Sequence, residues 1–186
     1  MKNWRTLILI SYWLISFGSI IAADTVMAQV NTAYFVKAPR LLGASTTYNS
    51  VQIRYAKYYF NIEIPQDAGN NLQEITIAQR QGQEEIKFRL DETMAYLGTN
   101  RDRQEQIAIA NVVQDEETGE IKVTLENPIP PDTTFTVALK PRRNPFFGGV
   151  YLFGVTAFPQ GNNPTGLYLG AGRLQFYRGS DGFIRH

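Results

Sequence analysis

The sequence predicts an all-β fold, an antiparallel β-sandwich of eight to nine strands with immunoglobulin-like or jelly-roll-like connections. Apolar and polar residues alternate along short segments, which is the period of a half-buried strand. Glycine, proline, asparagine and aspartate separate these segments at close spacing, and no helical period follows the N-terminal segment. A closed β-barrel is the alternative, because the number of strands alone does not distinguish the two architectures.

Alternation defines the first strands. Residues 58–64 alternate apolar and polar side chains and end before Pro65, which cannot donate to a strand ladder. Residues 51–55 are apolar in the opposite phase, so we expect a change of register near residues 56–57, either a β-bulge or a strand that passes between sheets. Two further segments share the alternation: residues 72–79 and residues 86–90.

Turn residues divide the C-terminal half. Gly119, in the segment DEETGE, can adopt the positive φ that a tight hairpin requires. Residues 127–132, NPIPPD, predict a proline-rich turn. Residues 91–106 are predicted to be a long loop, a kind of connection that is often functional or partly disordered. The remaining predicted strands cover residues 107–113, 121–125, 135–139, 150–158 and 167–177.

The N-terminal segment has the pattern of an export signal. Two basic residues precede residues 7–23, which are almost wholly apolar, and Val-Met-Ala at 26–28 matches a cleavage site. We therefore predict a signal peptide over residues 1–28 and a single β-sandwich domain over residues 29–186. Cleavage after Ala23 and retention as an anchor helix are the alternatives, but the apolar core is short for the roughly 20 residues that a membrane span needs.

The composition excludes several classes of function. The chain contains no cysteine, which removes disulfides, a lipoprotein anchor, thiolate catalysis and cysteine metal sites. The predicted mature chain carries sixteen basic and sixteen acidic side chains, whereas nucleic-acid binding normally needs a basic excess. We therefore predict no nucleic-acid partner, no cofactor, and no membrane insertion after signal cleavage.

The sequence offers few catalytic groups, and we predict no catalytic residues. The single histidine is His186, the last residue, so histidine-dependent triads and zinc sites are excluded. A carboxylate-dependent hydrolase is the remaining enzymatic alternative, because it needs only two acids at one cleft. The acidic hairpin at 115–120 matches no calcium-loop spacing, and no metal site is predicted. The candidate acids of the hydrolase are Glu63, Glu74, Asp91 and Glu92.

The segment PRRNPFFGGVYLFGVTAFPQG, residues 141–161, contains the candidate binding surface. Both phases of residues 150–158 are apolar, which predicts a strand covered on two sides and leaves residues 141–149 as the surface. Arginines on a loop beside glycine and proline are suited to carboxylate or phosphate, although they can also simply cap a strand end. We expect the loop at 91–106 to complete the surface. The candidate binding residues are Arg142, Arg143, Asn144, Phe146 and Phe147.

Aromatic side chains support a second hypothesis, a carbohydrate- or peptidoglycan-binding module. Exposed tyrosines on a sandwich face would stack on sugar rings, and Tyr151, Tyr168 and Tyr177 are the residues that test this arrangement. The alternative is that the rings fill the core between the sheets, because each aromatic side chain buries a large area.

Four segments of the chain together carry a family resemblance. They are TTYNSVQIRYAKYYFNIEIPQDAGNNLQEITIAQRQGQEEIKF, NPIPPDTTFTVALKPRRNP, the segment at 141–161, and NPTGLYLGAGRLQFY. In these segments, which cover most of residues 41–177, the chain resembles a cyanobacterial family of exported proteins known as domain of unknown function 2808. The resemblance implies export, an all-β domain and an envelope or lumenal setting, and it supplies no catalytic residues.

Together these observations predict an exported, non-catalytic β-sandwich module of the cell envelope. Its expected role is structural or the binding of an envelope protein or polymer. Its expected location is the periplasm, the thylakoid lumen or the extracellular space.

Overall fold

Ten β-strands make up the regular structure of residues 32–178, the part of the chain that a computed structural model describes. The predicted signal peptide at residues 1–28 lies outside the described residues. The strands in chain order are β1 (Arg40–Thr46), β2 (Tyr58–Ile64), β3 (Leu72–Gln81), β4 (Phe88–Thr99), β5 (Asp102–Ile107), β6 (Ile109–Gln114), β7 (Ile121–Ile129), β8 (Thr133–Pro141), β9 (Gly149–Pro159) and β10 (Leu167–Phe176).

The strands form two antiparallel sheets of five strands each. One sheet has the order β1-β2-β8-β4-β5, and the other has the order β10-β9-β3-β7-β6. Ala108 alone separates β5 from β6, so the chain passes there from one sheet to the other. The predicted β-sandwich is confirmed, with ten strands rather than eight to nine. Over the described residues the strands belong to two separate sheets, so the barrel alternative is wrong.

The core lies between the sheets because the side chains on one face of each long strand are apolar. On β2 the four apolar positions of Tyr58–Ile64 are fully buried and the intervening positions are half-buried, as the alternation predicts. Phe153 on β9 meets the rings of Tyr58 and Phe60 edge to face, at centroid distances of 6.0 and 5.8 Å. Because β2 and β9 belong to different sheets, these contacts hold the two sheets together.

The strand predicted over residues 150–158 lies within β9, between β3 and β10, but only its core face is fully covered. On the outer face Val150 is 38% exposed, and Leu152 and Phe158 are half-buried. The prediction of a strand covered on both sides is therefore wrong for this face. The fully buried core-facing side chains are Tyr151, Phe153, Val155 and Ala157.

The long loop predicted over residues 91–106 is instead a β-hairpin. β4 continues to Thr99, β5 begins at Asp102, and the two strands pair with each other. β5 is an edge strand and its first five residues are exposed, so it carries no alternation of apolar and polar residues. Charged residues on an exposed edge also discourage pairing with other chains.

Gly98→Ala is expected to destabilise the protein more than Gly119→Ala. Both glycines have positive φ, 83° and 68° respectively, and a Cβ in this region costs about 1–2 kcal/mol. A Cβ on Gly98 would overlap the carbonyl oxygen of Asp102, whereas a Cβ on Gly119 would meet no atom nearer than 3.8 Å. We expect Gly98→Ala to lose at least about 1 kcal/mol more in urea denaturation. Equal losses would contradict the backbone overlap.

Residues 47–57, here called the β1–β2 connection, are not the bulged or sheet-crossing strand that their alternation predicts. Their one β-bridge outside the named strands joins Ser50 to Tyr177. The amide of Val51 donates to the carbonyl of Tyr177 at 3.0 Å. The β1–β2 connection therefore folds over one end of the sandwich, beside the end of β10.

Candidate functional site

Two connections bonded to each other form this end of the sandwich. One is the β1–β2 connection, and the other is residues 142–148, the β8–β9 connection. The amide of Asn144 donates to the carbonyl of Ile53 at 2.7 Å, and the amide of Gln52 donates to the carbonyl of Pro145 at 3.0 Å. The backbone thus fixes two segments that lie far apart in the sequence.

The side chain of Asn144, a residue of the β8–β9 connection, also binds the β1–β2 connection. It is fully buried. Its Oδ1 accepts a hydrogen bond from the Tyr58 hydroxyl at 3.0 Å, and its Nδ2 donates to the carbonyl oxygens of Tyr48 at 2.9 Å and Ser50 at 2.7 Å. Asn144, predicted as a binding residue, is placed where its side chain supports the surface.

The hydroxyl of Tyr58 is the innermost group of this network. Burial raises the pKa of Tyr58 above its usual range, and the nearby Tyr151 and Glu84 raise it further. The hydroxyl therefore stays protonated through the physiological range and remains a donor to Asn144. Its role is structural, since it is enclosed by the core.

Arg142 and Arg143 lie exposed on the β8–β9 connection. The amide of Arg142 donates to the carbonyl of Lys87 at 2.8 Å, which fixes the main chain there. The guanidinium of Arg143 lies 3.6 Å from the centre of the Phe146 ring, a cation–π contact. Phe146 and Phe147 are 40% and 45% exposed. These four predicted residues are at the surface, unlike Asn144.

Glu84, between β3 and β4, holds the two phenylalanines in place. Its Oε1 accepts hydrogen bonds from the backbone amide of Phe146 and from that of Phe147, the latter at 3.1 Å. Two successive amides aimed at one oxygen form an anion-binding nest. Because this carboxylate already fills the nest, a ligand anion must bind to side chains instead.

A groove of about 640 Å³ lies between the β8–β9 connection and the start of β4, and we call it the arginine groove. Lys87 pairs with Glu85, which also lines the groove, and Arg89 pairs with Glu92. Its charged lining residues are Arg54, Glu84, Glu85, Lys87, Arg89, Arg142 and Arg143.

Three guanidinium groups of the arginine groove have no acidic partner among residues 32–178. Within residues 32–178, Arg54, Arg142 and Arg143 form no ion pair. A guanidinium presents its donors as a planar fork that matches a carboxylate or a phosphate. The arrangement can therefore bind an anion.

Arg54, Glu84 and the tyrosines of the β1–β2 connection belong to this surface but were not predicted. Tyr48 and Tyr55 are 45% and 61% exposed, and their rings meet edge to face at 5.0 Å. The connection that carries them is held beside the groove by bonds from Asn144, more than ninety positions later in the chain, to the carbonyls of Tyr48 and Ser50. The local sign of irregular structure is that the alternation of apolar residues at 51–55 is out of phase with that at 58–64.

The hairpin of β4 and β5 does not complete the surface, contrary to expectation. Phe88, at the start of β4, pairs with Pro141 beside the arginine groove. The turn of the hairpin follows Thr99, at the opposite end of β4. The turn and β5 therefore lie away from residues 141–149, although Glu92, near the start of β4, pairs with Arg89 of the groove.

The three tyrosines of the carbohydrate hypothesis do not form a row. Tyr151 is fully buried and donates to the carbonyl of Phe147 at 3.0 Å. Tyr168 and Tyr177 are 55% and 51% exposed, but they lie at opposite ends of β10, roughly 30 Å apart at the rise of a strand. One sugar ligand cannot stack on all three.

Two of the four candidate acids of a hydrolase, Glu63 and Glu74, do not converge. Glu63 lies on the outer face of one sheet, where it pairs with Arg40. Glu74 lies on the outer face of the other sheet, 3.3 Å from the ammonium of Lys122. The fold thus separates these carboxylates, and the arrangement of a paired-carboxylate hydrolase is not met by them.

The acidic hairpin between β6 and β7 is a turn stabilised by its own backbone. Oδ1 of Asp115 accepts hydrogen bonds from the amides of Thr118 and Glu117. The hydrogen bond from the Thr118 amide, and to a lesser extent that from the Thr118 hydroxyl, lowers the pKa of Asp115 below its usual range. Within residues 32–178, no group of histidine, cysteine, aspartate or glutamate side chains is placed to hold a metal ion.

The fold and the groove together define an antiparallel β-sandwich with a candidate anion-binding site at one end. The chain belongs to the family described as Protein of unknown function (DUF2808), whose model matches residues 32–176. The family named in the resemblance is thus confirmed. No curated protein matches the chain. Residues 32–178 contain no helix with the length and hydrophobicity needed to cross a membrane.

Several solved structures are distantly similar to this chain. The collagen-binding domain of a Staphylococcus aureus adhesin has 13% identity and a TM-score of 0.37, and the match covers 80% of this chain and 99% of that one. The collagen-binding subdomain of the Enterococcus faecalis surface protein ACE has 12% identity, a TM-score of 0.38 and the same coverage. The C-terminal domain of the Streptococcus agalactiae polypeptide BspA has 11% identity and a TM-score of 0.40, over 70% of this chain and 48% of that one. These similarities are too distant to indicate a ligand.

Proposed function

We propose that this protein is an exported, non-catalytic β-sandwich module that binds an anionic protein or polymer of the cell envelope through the arginine groove. One observation carries the proposal: Arg54, Arg142 and Arg143 line a single groove and have no acidic partner within residues 32–178. A ligand carboxylate or phosphate would supply the missing charge.

The proposed setting is outside the cytoplasm. The predicted signal peptide at residues 1–28 supports export, and the resemblance to a cyanobacterial exported family supports an envelope or lumenal location. The periplasm, the thylakoid lumen and the extracellular space all suit the proposal. The predicted mature chain contains no cysteine, so its folding does not depend on the redox state of any of them.

The geometry of the groove supports binding without catalysis. Its two acids are engaged, Glu84 with the amides of the β8–β9 connection and Glu85 with Lys87. An engaged carboxylate is poorly placed to act as a general base or as a nucleophile. A structural role in the envelope would use the same contacts between the arginines of the groove and an anionic partner.

Replacing Arg142 and Arg143 together by alanine is expected to weaken binding to isolated envelope fractions by at least about tenfold, because two charge-assisted contacts are lost. Co-sedimentation of the purified exported protein with the fractions measures this. The double variant Arg101→Ala with Arg173→Ala is the matched control, since both arginines are exposed and lie outside the groove. Unchanged binding of the groove variant would refute the proposed site.

A further inference from the structure

We infer that the ligand of the arginine groove is an acidic polysaccharide, whose carboxylates bind Arg54, Arg142 and Arg143 while its sugar rings stack on neighbouring aromatic side chains. The inference rests on the proposed function and names the ligand class of the same site. It follows from three features of this end of the sandwich: guanidinium groups that form no ion pair within residues 32–178, exposed aromatic rings, and four backbone amides that are already hydrogen-bonded.

Contacts within the protein position the guanidinium groups before a carboxylate binds. Arg143 is stacked on Phe146 at 3.6 Å, so less side-chain freedom is lost when it binds an anion. The main chain of Arg142 is fixed by its bond to Lys87, and Arg54 approaches from the β1–β2 connection on the other side. An anion in the groove can therefore meet guanidinium groups from two separate segments.

Exposed aromatic rings are concentrated at the same end of the molecule. Of the seven exposed aromatic side chains in residues 32–178, five lie on the β1–β2 connection, on the β8–β9 connection or directly after β10. A flat apolar ring with an accessible face suits the C–H face of a pyranose. Tyr55 follows Arg54 directly, and both side chains are exposed. The five are Tyr48, Tyr55, Phe146, Phe147 and Tyr177.

Four backbone amides of the β8–β9 connection are already hydrogen-bonded, which disfavours an extended peptide as the ligand. The amides of Arg142 and Asn144 donate to carbonyls of the domain, and those of Phe146 and Phe147 donate to Glu84. A peptide that adds a strand needs free amides and carbonyls along an edge. Recognition here must use side chains, and a uronic acid polymer offers both a carboxylate and a ring face in every unit.

The test compares three polymers by isothermal titration of the purified exported protein. Sodium polygalacturonate is acidic and saccharide, poly-L-glutamate is acidic only, and pullulan is saccharide only. We expect binding to polygalacturonate, binding to poly-L-glutamate that is weaker by at least about tenfold, and no measurable binding to pullulan. Binding to polygalacturonate should also weaken as salt rises, because exposed charges are screened.

Single substitutions separate the two kinds of contact. Arg54→Gln and Arg142→Gln are each expected to weaken polygalacturonate binding by about tenfold. Tyr55→Ala is expected to weaken polygalacturonate binding by about fivefold and to leave poly-L-glutamate binding unchanged. Arg101→Gln and Tyr34→Ala are the controls, because both side chains are exposed at positions outside the groove. Unchanged thermal unfolding confirms that each variant is folded.

Each other outcome overturns the inference. Equal binding to poly-L-glutamate would assign the groove to acidic peptides, and equal binding to pullulan would remove the role of the arginines. If polygalacturonate does not bind but the variant Arg142→Ala with Arg143→Ala loses envelope binding, the ligand class is wrong and the proposed function stands. If neither measurement responds to the groove residues, both are wrong.

Discussion

Phe153→Ala is expected to lower the free energy of unfolding by about 3–5 kcal/mol. The ring of Phe153 is 1% exposed, at the centre of the core. It meets the rings of Tyr58, Phe60 and Phe88 at centroid distances of 6.0, 5.8 and 6.2 Å. Removing it opens a cavity lined by rings that are fixed in strands, so the surroundings collapse only in part and the loss is large.

Urea denaturation followed by tyrosine fluorescence measures this loss, with Phe147→Ala as the matched control. Phe147 is the same residue type but is 45% exposed on the β8–β9 connection, so its replacement is expected to change stability by less than about 1 kcal/mol. Phe153→Leu should recover part of the loss, because it refills some of the volume. Similar losses for the two alanine variants would mean that Phe153 does not fasten the sheets.

The part of the fold that the sequence predicts well is the part with a local cause. Tyr58–Ile64 has the predicted bounds and the predicted burial. A strand between the core and solvent alternates apolar and polar residues, so it can be predicted without knowing which strand it pairs with. Gly119 likewise has the predicted positive φ, since the demand for it comes from the hairpin itself.

The two failures have different causes. The hairpin of β4 and β5 was predicted as a loop, because a solvated edge strand such as Asp102–Ile107 receives its structure from pairing with β4 rather than from alternation. Residues 51–55 alternate like a strand but are held as a connection by bonds to Asn144, Pro145 and Tyr177. The first pairing is local, since Thr99 pairs with Asp102, but β5 lacks the alternation that marks a strand. The second joins segments more than ninety positions apart and leaves no signal in either of them.

The candidate site divides in the same way. Arg142, Arg143, Phe146 and Phe147 are at the surface, because a loop between two apolar strands is exposed in most sandwiches. Arg54 was missed because it joins the arginine groove only through tertiary structure. Residue type alone did not separate Asn144, a buried support, from its exposed neighbours on the same loop.

Asn144→Ala is expected to lower the free energy of unfolding by about 2–4 kcal/mol. The substitution removes three hydrogen bonds and leaves the buried hydroxyl of Tyr58 and the carbonyl of Ser50 without their partner, whereas the carbonyl of Tyr48 keeps the bond that it accepts from the Thr46 hydroxyl. An unsatisfied buried polar group costs more than the bond itself contributes, which is why this one side chain has a large effect. Asn162→Ala, on an exposed loop, is the control and should change stability little.

A double-mutant cycle with Tyr58→Phe tests the pairing directly. If the hydroxyl and Oδ1 are partners at 3.0 Å, the loss in the double variant must be smaller than the sum of the two single losses, because each single variant leaves the other group unsatisfied. Additive losses would rule out the bond.

Asn144→Asp adds a dependence on pH with a defined sign. The new carboxyl would face the carbonyl oxygens of Tyr48 and Ser50, where the amide now donates. Repulsion and burial raise the pKa of such a carboxyl in the folded state, so the folded protein binds the proton more tightly than the unfolded chain does. The variant is therefore expected to be least stable above that raised pKa and to regain stability as the pH falls toward about 4, relative to the unsubstituted protein. A loss of stability that is constant between about pH 4 and 8 would contradict this prediction. It would mean that the new carboxyl is solvated in the folded protein and has the same pKa there as in the unfolded chain.

The same substitution separates support of the site from contact with its ligand. Loss of the Asn144 bonds frees the β1–β2 connection, so the amide of Val51 should exchange its hydrogen faster in Asn144→Ala. Arg54 would then move relative to Arg142, and polygalacturonate binding should weaken although no ligand-binding side chain has been removed. Faster exchange with unchanged binding would mean that the groove does not depend on this connection, and that Arg142 and Arg143 bind the anion without Arg54.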